Sequence, residues 1–143
     1  MTMRRISTCP SNSLANIKGV FTDIDDTLTT DGRIPFTVFE AMENLRAHGL
    51  LMIPVTGRPA GWCDMIARTW PVDAVVGENG ALAFSYDIGA RQMKRLYAVD
   101  EDQRANDQQR LVAIGDEILD KVPGVRIAAD QGYRETDLAI DFN

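Results

Sequence analysis

Residues 19–27 read Gly19-Val20-Phe21-Thr22-Asp23-Ile24-Asp25-Asp26-Thr27, a short apolar run that breaks into acid. The run suits a buried strand, and Asp23 to Asp26 are too acidic to continue one. A turn signal follows at Asp31-Gly32. From Pro35 a helix is predicted, because Phe36, Phe39, Met42 and Leu45 recur at threefold spacing until Gly49 stops it. Residues 50–55 are continuously apolar, the pattern of a strand covered on both faces. A second helix is expected over 59–69 and a third strand over 72–76. Strand, helix, strand, helix, strand is the rhythm of a parallel sheet with helices packed on it.

Ligands of such sheets sit beyond the carboxyl ends of the strands. Asp23 follows the first strand, Thr56 the second, and Gly77-Glu78-Asn79-Gly80 the third. Three polar clusters therefore converge on one sheet edge.

Past residue 80 the rhythm changes. Residues 81–86 and 93–97 read as strands around a polar turn at 87–89. Residues 100–121 read as one long helix, with Leu111, Ile114, Ile118, Leu119 and Val122 on a stripe. Pro123-Gly124 ends it, and residues 125–129 and 136–142 read as two more strands. The expected division is a flexible N-terminus over 1–17, an α/β core with a Rossmann-like parallel sheet over 18–97, and a smaller helix-strand-strand unit over 98–143.

The 143 residues suit a single-domain core, and the net charge of −6 with a pI near 4.7 repels polyphosphate backbones. Nucleic acid is excluded as a bulk partner. A small phosphorylated molecule is not, since a metal and local groups outweigh net charge. Cys9 and Cys63 form no CxxC pair, so no structural zinc is expected. No apolar run approaches a membrane span, and the basic N-terminus lacks an apolar segment behind it. A cytoplasmic protein without membrane contact is the expectation.

A carboxylate attacks phosphorus when its charge is balanced and the phosphate is held in line. A second acid nearby protonates the leaving alcohol and later activates water. A divalent, oxygen-loving cation reconciles two anions with an anionic substrate. Alternate residues at a strand end share a direction, so Asp23 and Asp25 face one site and Asp26 points elsewhere. Thr27 is expected to tie down the loop through its hydroxyl. An acidic turn that caps a helix is the competing reading of the same spacing.

Asp23-Ile24-Asp25-Asp26-Thr27-Leu28-Thr29 resembles the DxDxT motif of the haloacid dehalogenase superfamily of phosphatases. Val55-Thr56-Gly57-Arg58-Pro59 resembles the second motif of that superfamily. Gly77-Glu78-Asn79-Gly80-Ala81 is similar to a segment of its subfamily with large α/β caps, which includes sugar-phosphate phosphatases. The resemblance implies that Asp23 is the nucleophile that becomes aspartyl-phosphate and also binds magnesium. It implies that Asp25 is the general acid and base, with its backbone carbonyl on the metal. Thr56 would hydrogen-bond the transferring phosphoryl group, helped by backbone amides after Asp23 and after Thr56. Thr27, Gly57, Arg58 and Asn79 complete the expected substrate-binding set, and Mg2+ is the expected cofactor. Arg58 also reads as a surface salt-bridge partner, and Asn79 as a turn residue before Gly80.

The superfamily further requires a lysine and a later acidic motif. Gly115-Asp116 with Asp120, and Lys94, are the tempting candidates. The helical stripe over 103–122 instead makes Asp116 and Asp120 solvated helix residues and Gly115 a blemish. Residues 98–143 then read as the start of a cap, and the chain as the N-terminal part of a longer protein. The competing readings are an inactive module that binds metal or phosphate, or self-associates through exposed core surface, and a phospho-accepting receiver domain. The last lacks its lone Asp at the end of a later strand.

Overall fold

The computed structural model describes residues 5–142. A 3-10 turn at Ile6–Thr8 and a single helical turn α1 (Ser11–Leu14) precede β1 (Gly19–Asp23), α2 (Phe36–Ala47), β2 (Leu51–Val55), α3 (Ala60–Thr69) and β3 (Val75–Gly77). A 3-10 turn at Glu78–Gly80 leads into the hairpin β4 (Leu82–Asp87) and β5 (Gln92–Tyr97). The long helix α4 (Glu101–Lys121) and the short strands β6 (Val125–Ile127) and β7 (Ile140–Phe142) complete the chain, with one more 3-10 turn at Gln131–Tyr133.

The sheet has the order β1-β2-β3-β4-β5, its first three strands parallel and its last two antiparallel. It is an α/β fold on a mixed sheet, and it ends on a hairpin because a tight polar turn at 87–92 permits only antiparallel return. Strand order that steps one way through β1, β2 and β3 lays both right-handed crossovers on one face. The core forms there, from Ile24, Met42, Met52, Cys63, Ile66, Val75, Leu82 and Phe84. Burial pushes the Cys63 thiol up to about 12, which marks it as packing rather than chemistry.

Topology corrects the reading of β2 as covered on both faces. Met52 and Pro54 are buried, but Leu51 is 49% exposed, and Phe21 beside it on β1 is 68% exposed. The register pairs Gly19 with Leu51 and Phe21 with Ile53, so these residues share the face opposite the helices. The third strand begins three residues later than expected, because Asp73 turns inward to accept the Met52 N–H at 2.8 Å.

The apolar stripe of α4 is mostly open: Ile114, Leu119 and Val122 are exposed. Gly115 is the buried position, and a Cβ there would lie 2.9 Å from Leu138 Cδ2. The expected blemish is a position at which α4 packs against Leu138. The last strand is shorter than expected for a related reason. The N–H groups of Glu135, Thr136 and Asp137 go to the Glu78 carboxylate instead of a strand partner. The Gln131 side chain then bonds Asp137 O and Ala139 N–H, both at 2.9 Å, as a neighbouring strand would.

Candidate active site

The register of β1 on β2 ends at Asp23 opposite Val55, which puts Asp23 one residue from Thr56 across the ladder. The chain then leaves the sheet at Ile24, whose buried side chain anchors the following turn. Ile24 O accepts the N–H groups of Thr27, Leu28 and Thr29 at 3.3, 2.9 and 3.0 Å. The buried Thr29 hydroxyl donates to Ile24 O at 3.2 Å and accepts the Asp26 N–H at 3.1 Å. Thr29, not Thr27, therefore ties down the loop. Both are threonines close behind the acids, and only burial separates them: Thr27 is exposed, and its hydroxyl has no protein partner among the described residues.

The two site carboxylates differ in their surroundings. Asp23 is exposed and makes no hydrogen bond or ion pair through its side chain among the described residues. Asp25 is held by both faces of the Arg58 fork, Nε to Oδ2 at 3.1 Å and Nη2 to Oδ1 at 2.5 Å. The guanidinium also lies 4.3 Å over the Trp62 ring. The hydrogen bonds that Arg58 donates to Asp25 raise its pKa further, against the opposing effect of burial. Of the two readings of Arg58, the salt bridge is the one present, and its partner is the candidate acid itself.

The loop Thr56-Gly57-Arg58 is clamped from behind. Thr56 O accepts the Asn79 N–H and Arg58 O accepts the Glu78 N–H, each at 3.2 Å. Gly57 O accepts Arg134 Nη1 at 3.0 Å. A Cβ at Gly57 would lie 2.9 Å from Asn79 Oδ1, so only glycine fits without displacing Asn79. Thr56 is 3% exposed, and its hydroxyl accepts the Arg58 N–H at 3.1 Å. That bond uses a lone pair and leaves the O–H to donate. Among the described residues, the N–H groups of Asp25 and Gly57 have no protein acceptor. Two free amides and one hydroxyl with its proton left to donate thus gather beside a free carboxylate, an arrangement that suits an anion with oxygen acceptors.

Asn79 is the turn residue, and its side chain reaches the segment around residue 137. Its φ of 58° is the left-handed turn conformation, and its Nδ2 donates to Asp137 Oδ2 at 3.3 Å. Two residues escaped the sequence reading. Glu78 is 2% exposed, and it accepts N–H groups from Ala60 at 2.8 Å, Glu135 at 2.9 Å, Thr136 at 2.6 Å and Asp137 at 3.1 Å, plus the Thr136 hydroxyl. Burial alone would raise its pKa, but the Thr136 hydroxyl and the N–H groups of Glu135, Ala60 and Thr136 outweigh it and hold the carboxyl below its ordinary range. Arg134 joins Asp130 and Asp137 to Gly57 O. The only signal for Glu78 is an acid at the end of a buried strand without a basic neighbour, and all its partners but Ala60 lie 57 to 59 residues away.

A hard divalent cation is bound by one or two carboxylates with water and phosphate oxygens filling the rest. The partnerless Asp23 carboxylate and the Asp25 carbonyl, which accepts no hydrogen bond among the described residues, fit that donor set. No cluster of three or more His, Cys, Asp or Glu that would cage a metal occurs among the described residues. Asp116 and Asp120 are exposed on α4, and Lys94 is exposed on β5. No helix of the described residues is long and apolar enough to cross a membrane.

Residues 20–104, from β1 into the first turn of α4, match the family of haloacid dehalogenase-like hydrolases. A Streptococcus pyogenes serotype M6 protein, provisionally named a phosphatase, is 34% identical over 91 residues, which are 60% of this chain and 34% of that one. A crystal structure of Thermoplasma acidophilum 0175 superimposes with a TM-score of 0.65 at 18% identity, over 89% of this chain and 52% of that one. A sugar phosphatase of haloacid dehalogenase subclass IIB superimposes with a TM-score of 0.54 at 26% identity, over 86% of this chain and 43% of that one. The chain thus spans about a third of the Streptococcus relative's length and about half of the Thermoplasma protein's. With more than half of its residues inside the matched region, the chain belongs to the haloacid dehalogenase-like hydrolases.

Proposed function

We propose that this chain carries the nucleophile and phosphoryl-binding part of a magnesium-dependent phosphatase for a small phosphorylated metabolite, with a sugar phosphate the favoured class. One observation carries the reading. A carboxylate without a protein partner, Asp23, stands at the same sheet edge as the free N–H groups of Asp25 and Gly57 and the Thr56 hydroxyl. Residues 98–143 serve as the beginning of the cap over that edge.

In the first step an Asp23 carboxylate oxygen forms a bond to phosphorus as the ester oxygen leaves. The Asp25 carboxyl gives its proton to that leaving oxygen. In the second step Asp25 takes a proton from water, the water oxygen bonds phosphorus, and the bond to Asp23 breaks to restore the carboxylate. The Thr56 hydroxyl and the free amides donate to the equatorial oxygens, where charge is spread during transfer. Arg58 must release Asp25 before Asp25 can donate, and the phosphoryl dianion offers its guanidinium another fork partner. Magnesium, when bound at Asp23 and the Asp25 carbonyl, neutralises charge between the attacking carboxylate and the phosphate.

The test is magnesium-dependent release of phosphate from a panel of phosphomonoesters, with magnesium binding followed separately by calorimetry. Asp23→Asn is expected to abolish release while the fold persists, since the exposed carboxylate makes no internal bond. Failure of the unmutated chain to bind magnesium even weakly would remove the assigned site.

A further inference from the structure

Arg134 lies 77 residues from the loop it contacts, on a segment the mechanism above does not use. Its side chain is 10% exposed, and its charge is already met by Asp137 at 2.9 Å and by Asp130 at 3.4 Å. Charge balance alone therefore leaves its third contact unexplained. Nη1 also donates to Gly57 O at 3.0 Å, on the far side of the phosphoryl-binding loop.

That carbonyl belongs to the peptide joining Gly57 to Arg58. The N–H of the same peptide donates to Thr56 Oγ1 at 3.1 Å. The peptide plane is rigid, so fixing its carbonyl fixes the direction of its N–H. The N–H in turn occupies one lone pair of the Thr56 hydroxyl and limits where its proton points. A cation on the carbonyl also polarises the peptide and strengthens the N–H as a donor. Other contacts pin Arg134 in place. The Glu78 carboxylate holds the N–H groups of residues 135, 136 and 137, and Asp137 bridges Arg134 to Asn79.

We infer that Arg134 is a positioning residue for phosphoryl transfer: it orients the Gly57–Arg58 peptide and, through that peptide, aims the Thr56 hydroxyl at the phosphoryl group. The inference rests on the phosphatase reading and adds a residue outside the sheet edge to it. It also gives the segment around residue 134 a function beyond covering the core, because the segment completes the back of the loop.

The test uses the full chain with magnesium and inorganic phosphate, and reads phosphate affinity by calorimetry beside the unfolding midpoint. Arg134→Met is expected to weaken phosphate about tenfold, the scale on which a second layer of contacts acts on a site. Arg134→Lys keeps the charge between Asp130 and Asp137 but loses the fork, and should recover part of that loss. Leu138→Ala is the control. It loosens the same segment against Gly115 without touching the relay, so it should lower the midpoint and leave affinity within about twofold.

The backbone amide resonance of Arg58 should shift in Arg134→Met and stay in Leu138→Ala. If Arg134→Met does not fold, the lysine variant decides: an affinity equal to that of the unmutated chain overturns the inference. A folded Arg134→Met chain with unchanged affinity, or a Leu138→Ala chain as weak as Arg134→Met, overturns it too. An unmutated chain that binds no phosphate takes down the phosphatase reading and this inference together, whereas the preceding outcomes remove this inference alone.

Discussion

At the scale of single residues, the positions of the acids were legible and the contacts made around them were not. Asp23, Asp25 and Thr56 could be placed at strand ends from the pattern of apolar runs, since the end of a run fixes where the chain leaves the sheet. Choosing between Thr27 and Thr29 needed burial. Both carry the hydroxyl that a tight acidic turn requires, but Thr29 sits under the turn and bonds Ile24 O and the Asp26 N–H. Thr29→Val removes both bonds and is expected to lower unfolding free energy by about 1–2 kcal/mol. Thr27→Val, at an exposed position, should stay within about 0.5 kcal/mol. Urea unfolding of the two variants checks the assignment, and equal losses would contradict it.

At the scale of elements, helix and strand periodicity gave α2, α3, α4 and the β4–β5 hairpin close to their observed bounds. Periodicity failed where it ranked the faces of α4. Its apolar stripe is largely exposed, and the contact is made by Gly115 against Leu138. A small residue at a close approach carries no hydrophobic signal, so no moment or stripe finds it. Gly115→Ala gains helix propensity of up to about 1 kcal/mol and crowds only the flexible end of Leu138, with Ile127 at ordinary contact distance, so the net change should be near zero. Gly115→Leu overfills the contact and should cost about 1–3 kcal/mol. Thermal unfolding separates the two, and a leucine tolerated as well as alanine would mean that α4 does not pack there.

At the scale of the whole molecule, Glu78 joins the start of α3 to the segment 135–137. Its carboxylate collects N–H groups from α3 and from residues 135–137. Since its folded pKa lies below the ordinary glutamate value of 4.5, its contribution to stability is complete above that value. The contribution is lost as pH falls through the lower folded value, where the proton displaces the bonds. Glu78→Gln should destabilise the chain by about 2 kcal/mol at neutral pH. The gap between the two chains should close progressively as pH falls below the ordinary glutamate value of 4.5 and through the lower folded value, because the unmutated carboxyl then becomes neutral as well. Urea midpoints from pH 3 to 7 report this, and a gap independent of pH would show that Glu78 is not the titrating group.

The sequence by itself determined the order of strands and helices, the sheet edge where polar clusters meet, and the family to which Asp23-Ile24-Asp25 and Thr56-Gly57-Arg58 point. Those features are local: they follow from periodicity, turn chemistry and the run of residues next to one another in the chain. Tertiary structure alone decided that Arg58 grips Asp25, that Glu78 fastens residues 135–137, and that Arg134 reaches Gly57. It also decided that one face of β1 and β2 is bare. These depend on partners 33 to 77 residues apart, or on which side two crossovers fall. A hydrogen bond needs its donor and acceptor within about 3 Å, and only the folded chain brings such distant residues that close.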